Sequence, residues 1–197
     1  TFVVERLLET HYSSCSVEWR VSEGSTVDIG DEVLRIFGNG AEMLRSERVL
    51  LNVLGRLSGI STNSSRWINE AGSMGVASTR KVDWGLLDKW AVHVGGGLTH
   101  RLNREDALMI KDSEVLSSRV DNETEDEALT RLVLEIDMDT NSVFTVIEVR
   151  SVEQALTVTH IWKEVQTERA GSERVVILLD NMGPELSSMV SRRLEEE

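Results

Sequence analysis

The sequence predicts an α/β protein with two parts of different texture, on three observations. Four short runs rich in apolar and β-branched residues, GVAS (75–78), ALMI (107–110), FTVIEV (144–149) and RVVILLD (174–180), recur along the chain. Between them lie LLDKWAV (86–92), EDEALTRLVLEI (125–136) and EQALTVTHIWKEVQTE (153–168), each compatible with a helix. Strands separated by helices of that length make βα units and a parallel sheet. Upstream, residues 16–40 read differently: apolar and polar residues alternate in short runs broken by Gly24, Gly30, Gly38 and Gly40, the mark of small strands joined by tight turns.

Taken in order, the opening TFVVERLLETHYSS lacks an initiator Met and is too short and too polar for a signal segment. In the strand-rich module, the spacing Gly24-x-x-Val27-x-x-Gly30-Asp31 resembles the turn of biotinyl and lipoyl carrier domains. A carrier needs a modifiable lysine, and none precedes Lys81, so the module reads as a docking or lid domain. From 41 to 70, Leu44, Leu51, Leu54, Leu57 and Ile60 recur at three- and four-residue intervals, with Gly55 and Gly59 allowing close packing. This is a helix or helix pair linking two domains, divided as 1–57 and 58–197.

Composition removes several function classes. A net charge of -13, from 34 acidic and 21 basic residues, excludes a general nucleic-acid surface, because phosphate backbones require clustered cations. Only four of the cations are lysine, a balance that suits a high-salt cytoplasm and equally an ordinary solvated acidic surface. No apolar stretch approaches the roughly 20 residues of a bilayer span, and one cysteine, Cys15, cannot form an intrachain disulfide, so the expected setting is cytoplasmic. His11 and Cys15 lack a third ligand at zinc-like spacing. His93, His160 and the tryptophans read as packing or surface residues.

The ends of the predicted strands carry the chemistry. Thr79, Arg80 and Lys81 follow the first, Lys111 and Asp112 the second, Glu148 lies near the end of the third, and Asp180 and Asn181 close the fourth. Ligands of parallel α/β folds sit at the carboxyl ends of strands. Arg and Lys suit carboxylates or phosphates, whereas Glu and Asp suit Mg²⁺ or a cationic centre. Gly95, Gly96 and Gly97 then lead into Thr99, His100 and Arg101, adding an imidazole and a guanidinium. An anionic, phosphorylated substrate with magnesium fits both sets.

Five segments, in order, resemble the quinolinate phosphoribosyltransferase family, also called carboxylating nicotinate-nucleotide pyrophosphorylase. They are ERVLLNVLGRLSGIST (47–62), STRK (78–81) with GLLDKWAVHVGGGLTHR (85–101), MIKD (109–112), IEVRSVEQA (147–155) and ILLDNMGPE (177–185). The resemblance implies an open, incomplete α/β barrel of parallel strands preceded by part of a small α+β sandwich-like N-terminal domain, shortened at both ends relative to the family. It also implies phosphoribosyl transfer from phosphoribosyl pyrophosphate to quinolinate with decarboxylation, a pentosyltransferase step of NAD biosynthesis that gives nicotinate mononucleotide. By similarity Arg80, His100 and Arg101 grip the pyridine dicarboxylate, with Lys81 and Lys111 adding positive potential, and Arg48 reaches a neighbouring subunit's site. Glu148 and Asp180 meet the Mg²⁺-bound pyrophosphate and the ribose hydroxyls, so that Lys81, Lys111, Glu148 and Asp180 form the catalytic set in a homodimer or higher homo-oligomer with shared sites. Two departures place carboxylates near the cations: Ser113 and Glu114 stand where the family has Asn-His, and Val82, Asp83 and Trp84 stand where it has Thr-Thr-Pro. The alternative expectation is a truncated or lapsed relative that binds anionic pyridine acids, or a full-length partner subunit, without catalysis.

Overall fold

A computed structural model describes residues 1–103, 105–137 and 143–196. It divides into two compact units, Thr1–Leu102 and Asn103–Glu197.

The first unit opens with helix α1 (Phe2–His11), which buries Val4 and Leu8. Strands β1 (Cys15–Trp19) and β2 (Leu34–Gly38) pair antiparallel, with Val17 opposite Ile36. Between them residues 20–33 run as turns, so the alternation read there yields two strands and a long connection. The segment predicted as one helix or two is a single helix, α2 (Gly40–Ala71). Asn39 starts it by accepting the amide hydrogens of Ala41 (2.9 Å) and Glu42 (3.4 Å), two donors that a helix start otherwise leaves unpaired. Val4, Leu8, Cys15 and Leu50 form this unit's core, with Val17, Trp19, Ile36 and Leu54 packed on it. Helix α3 (Leu86–Val94) lies against α2.

The second unit is a parallel sheet in the order β3 (Ala107–Ile110), β4 (Phe144–Val149), β5 (Val175–Leu179). The strands alternate with helices α4 (Asp112–Ser118), α5 (Glu125–Leu134), α6 (Val152–Glu168) and α7 (Pro184–Glu196). Central β4 is covered on both faces, with Thr145, Val146, Ile147 and Val149 all buried, as befits the middle strand of a parallel sheet. Helix α6 faces the core with Val152, Ala155, Val158, Ile161 and Trp162, a helical-period stripe. Thr124 and Glu127 cap α5 reciprocally, and Ser151 caps α6 by accepting the Gln154 amide hydrogen at 3.0 Å.

The expectation that 75–78 is a sheet strand is corrected. It forms an isolated parallel bridge, Ala77 to Leu98, inside the first unit. With Gly75 and Ser78 at its ends, the run offers only two apolar residues, against four in the equally long ALMI. Among the described residues the parallel sheet therefore has three strands.

Candidate active site

The isolated bridge is small, but it organises the cations. Leu98 donates its amide hydrogen to the Val76 carbonyl, and Ser78 donates to the Leu98 carbonyl, both at 2.8 Å. The pairing is parallel, so the two chains leave it in one direction, and Thr79-Arg80-Lys81 and Thr99-His100-Arg101 emerge as neighbours. Helix α3 is the crossover, and the glycine triplet is its tight return. A Cβ on Gly95 would stand 2.4 Å from the Ser61 carbonyl oxygen, one on Gly97 would stand 2.6 Å from Val92, and Gly96 sits at φ +92°. The triplet thus seats α3 against α2 and turns the chain back to Leu98.

The electrostatics of this cluster are those of crowded positive charge. His100 and Arg101 are half-buried, while Arg80 and Lys81 are exposed. Burial, then the charges of Lys89 and Arg101, hold the His100 imidazole below the ordinary histidine range. His100 also has a left-handed backbone at φ 54°, a conformation that costs an L-residue about 1 kcal/mol.

Two residues that sequence reasoning passed over support the cluster from α3. Asp88 is 4 % exposed and binds Arg56 of α2 through both oxygens, at 2.9 and 2.8 Å, while accepting the Trp84 amide hydrogen at 3.0 Å. The Arg56 guanidinium holds the Asp88 carboxyl below the usual carboxylate range, and it also lies over the Trp84 ring at 4.7 Å and reaches Asp83 at 3.2 Å. Residues 82–84, where the chain departs from the family pattern, are thus tied to α2, and Asp83 answers Arg56. Its neighbour Lys89, 3 % exposed, donates to the Thr99 carbonyl at 2.5 Å and to the Ser78 hydroxyl at 3.2 Å. The sequence carries no signal for either: in LLDKWAVHV the apolar Leu86 and Trp90 are exposed while the adjacent charges Asp88 and Lys89 are buried.

In the second unit, the carboxyl ends of the parallel strands gather the other predicted residues. Lys111 follows β3, and its Nζ lies 3.8 Å from Oε2 of Glu148 on β4, whose side chain is 9 % exposed. Asp180 follows β5, its amide hydrogen donated to the Val149 carbonyl at 2.9 Å and its carboxylate accepting from the Asn181 side chain at 2.7 Å. Burial, and next the charge of Asp180, push the Glu148 carboxyl above its ordinary range against the opposing pull of Lys111. Glu114 does not stand free as an added anion: it accepts the Lys111 amide hydrogen at 3.2 Å and the Ser113 hydroxyl at 3.0 Å, closing the start of its own helix.

Among the described residues no three His, Cys, Asp or Glu side chains converge as a cage for a metal ion. Glu148 and Asp180 supply two carboxylates whose mutual repulsion a cation would relieve. That suits an ion such as Mg²⁺, which keeps waters and takes phosphate oxygens from a substrate. Arg48 is exposed on α2. No described helix is long and apolar enough to cross a membrane.

Comparison with known proteins identifies the family. Models described as the N-terminal and C-terminal domains of quinolinate phosphoribosyl transferase match residues 1–58 and 60–197. The chain is 35% identical over 176 residues to the chloroplastic, carboxylating nicotinate-nucleotide pyrophosphorylase of Arabidopsis thaliana, covering 86% of this chain and 47% of that protein. It is 30% identical over 198 residues to a probable carboxylating nicotinate-nucleotide pyrophosphorylase of Methanothermobacter thermautotrophicus, covering 98% of this chain and 64% of that one. The crystal structure of NadC from Streptococcus pyogenes superposes with a TM-score of 0.77 at 26% identity, over 98% of this chain and 64% of that chain. The chain therefore spans about half to two thirds of the length of these relatives. With both family models matched in order along nearly its whole length, the chain belongs to the quinolinate phosphoribosyltransferase family.

Proposed function

We propose that the protein carries out phosphoribosyl transfer to quinolinate with decarboxylation, in NAD biosynthesis. The ring nitrogen attacks the anomeric carbon of phosphoribosyl pyrophosphate, the carbon–oxygen bond to pyrophosphate breaks, and pyrophosphate leaves. The bond to the carboxyl group next to the nitrogen then breaks, carbon dioxide leaves, and the ring carbon takes a proton to give nicotinate mononucleotide. The observation that carries this reading is the Ala77–Leu98 pairing, which sets Arg80 and Lys81 beside His100 and Arg101 in a strongly acidic chain. A dianionic acid is the ligand class that relieves such crowding. Positive groups around both carboxylates also stabilise the charge left on the ring as carbon dioxide departs.

In this reading Arg80, His100 and Arg101 bind quinolinate, with Lys81 and Lys111 adding positive charge. Glu148 and Asp180 hold Mg²⁺ on the pyrophosphate and favour the developing positive charge at the ribosyl carbon. The functional division falls near 57/58, within α2. We place the protein in the cytoplasm, in keeping with its single, buried Cys15. We assign it a homodimer or higher homo-oligomer: Leu44 and Leu51, 75 % and 51 % exposed, lie four before and three after Arg48 on one face of α2, an apolar setting from which Arg48 would serve a partner's site.

The test is incubation with quinolinate, phosphoribosyl pyrophosphate and Mg²⁺, with release of pyrophosphate and formation of nicotinate mononucleotide followed. Product that vanishes in Glu148→Gln and Arg101→Ala supports the proposal. Binding of quinolinate without product, under conditions where phosphoribosyl pyrophosphate is saturating, would leave an acid-binding protein and defeat the transferase reading.

A further inference from the structure

Lys89 has no part in the reaction as assigned above, yet it is among the most deeply buried charged side chains described, at 3 % exposure. Desolvating an ammonium is costly, and folded proteins normally offset that cost with a counter-ion. Here none is supplied among the described residues. The adjacent carboxylate, Asp88, is turned to Arg56 and Trp84 instead. What Lys89 has are two neutral oxygens, the Thr99 carbonyl at 2.5 Å and the Ser78 hydroxyl at 3.2 Å, and that hydroxyl donates in turn to the same carbonyl at 3.1 Å.

Those two oxygens are not arbitrary. Ser78 is the last residue before Thr79-Arg80-Lys81, and Thr99 is the first before His100-Arg101. A single nitrogen therefore ties the two cation-bearing segments just beyond the one backbone bridge that joins them. A neutral donor would serve for a tie alone, whereas an ammonium adds repulsion against its neighbours: burial and then Arg80 hold the Lys89 amine below its ordinary range, and Lys89 in turn depresses His100. A charge kept at such a cost, next to cations of its own sign, is the arrangement expected where an anion completes the cluster.

We propose that Lys89 is a positioning residue of the acid clamp, its buried ammonium holding the Arg80–Lys81 and His100–Arg101 segments in register and lending its charge to a bound pyridine dicarboxylate. The proposal rests on the reading of the cation cluster as the quinolinate site.

The test compares the wild-type chain with Lys89→Gln, which keeps a donor and removes the charge, and Lys89→Met, which removes both. Each is titrated calorimetrically with quinolinate and with nicotinate, the monocarboxylate of the same ring, after circular dichroism shows native helix content. The expected result is that Lys89→Gln weakens quinolinate about tenfold or more, the usual size of a lost charge-assisted contact, and weakens nicotinate distinctly less, with Lys89→Met at least as impaired. Equal weakening of both acids would mean a tie without an electrostatic role and would overturn the proposal, as would unchanged quinolinate binding. A second measurement does not depend on the acid. The His100 imidazole is titrated by NMR in each folded variant, where loss of the Lys89 charge is expected to move its midpoint upward, and an unmoved midpoint would also overturn the proposal. Wild-type protein that binds no quinolinate would instead defeat the functional reading, and the His100 shift would still decide whether Lys89 sets the potential of the cluster.

Discussion

The cation cluster and the strand-end carboxylates are built by opposite strategies. In the first unit, charged groups are placed by other polar groups: a two-residue bridge, the Arg56–Asp88 pair and the Lys89 tie hold segments that have little apolar anchoring of their own. In the second unit the charged groups are simply the ends of strands, and their positions are fixed by the core beneath them, where Val146, Ile147 and Val149 are fully buried. The polar scaffold defines geometry through a few directional bonds, so single substitutions should disturb binding there. The apolar scaffold spreads its support over many contacts, so a single core substitution should cost stability and leave local electrostatics intact.

The largest expected effect is in that core. Ile147→Ala should cost about 2–5 kcal/mol in urea unfolding, as buried Ile→Ala changes do. If the second unit instead loses less than a surface substitution would, its carboxylates are not held by the core. Next comes Arg101→Ala, which removes a charged donor from the acid site and should weaken quinolinate by roughly ten- to hundredfold in calorimetry, well out of proportion to its effect on the melting temperature. An equal loss in stability would make Arg101 structural.

Asp88→Asn sharpens the contrast within the polar scaffold. It should lower the melting temperature and weaken quinolinate together, because it uncouples α3 from Arg56. Asp83→Asn, whose side chain is 84% exposed, should change neither beyond the small effect of a surface ion pair. Matching effects of the two would show that the buried pair is not the one that holds the loop.

The smallest effect is a pH dependence. Because the folded protein holds the Glu148 proton more tightly than the unfolded chain does, ionising it costs stability. That cost is absent at pH below the unfolded carboxylate value and fully present above the raised folded one. Glu148→Gln should therefore raise the melting temperature slightly at neutral pH and not at acid pH, and Mg²⁺ should stabilise wild type more than the variant. A gain that persists at acid pH would assign the effect to packing rather than charge.

The same division governs how much could be read from the sequence. ALMI and FTVIEV were legible to the residue, since strands buried in a parallel sheet are rich in apolar and β-branched residues, and α5 and α6 announce themselves through Thr124, Glu127 and Ser151. GVAS carries the same kind of signal but forms one bridge, because what holds it is Lys89 and the Leu98 backbone rather than a neighbouring strand. Helices α1, α4 and α7 were not anticipated, being short or, in PELSSMVSRRLEE, poor in apolar residues with Val190 as the one fully buried position. Arg80, Lys81, His100 and Arg101 could be named from strand-end logic and family resemblance. Their supports Arg56, Asp88 and Lys89 could not, because a buried charge looks in sequence like any surface charge until its partners are placed.

The central claim is that the cluster around the Ala77–Leu98 bridge is a dianion site. Calorimetric titration of the wild-type chain with quinolinate near neutral pH, in two buffers of different ionisation enthalpy, tests it most directly. The account predicts saturable binding of one acid per chain with proton uptake, because a dianion raises the proton affinity of a His100 that burial, Lys89 and Arg101 now keep low. Absence of binding, or binding with no proton uptake that is unaltered in Arg80→Ala, would contradict it.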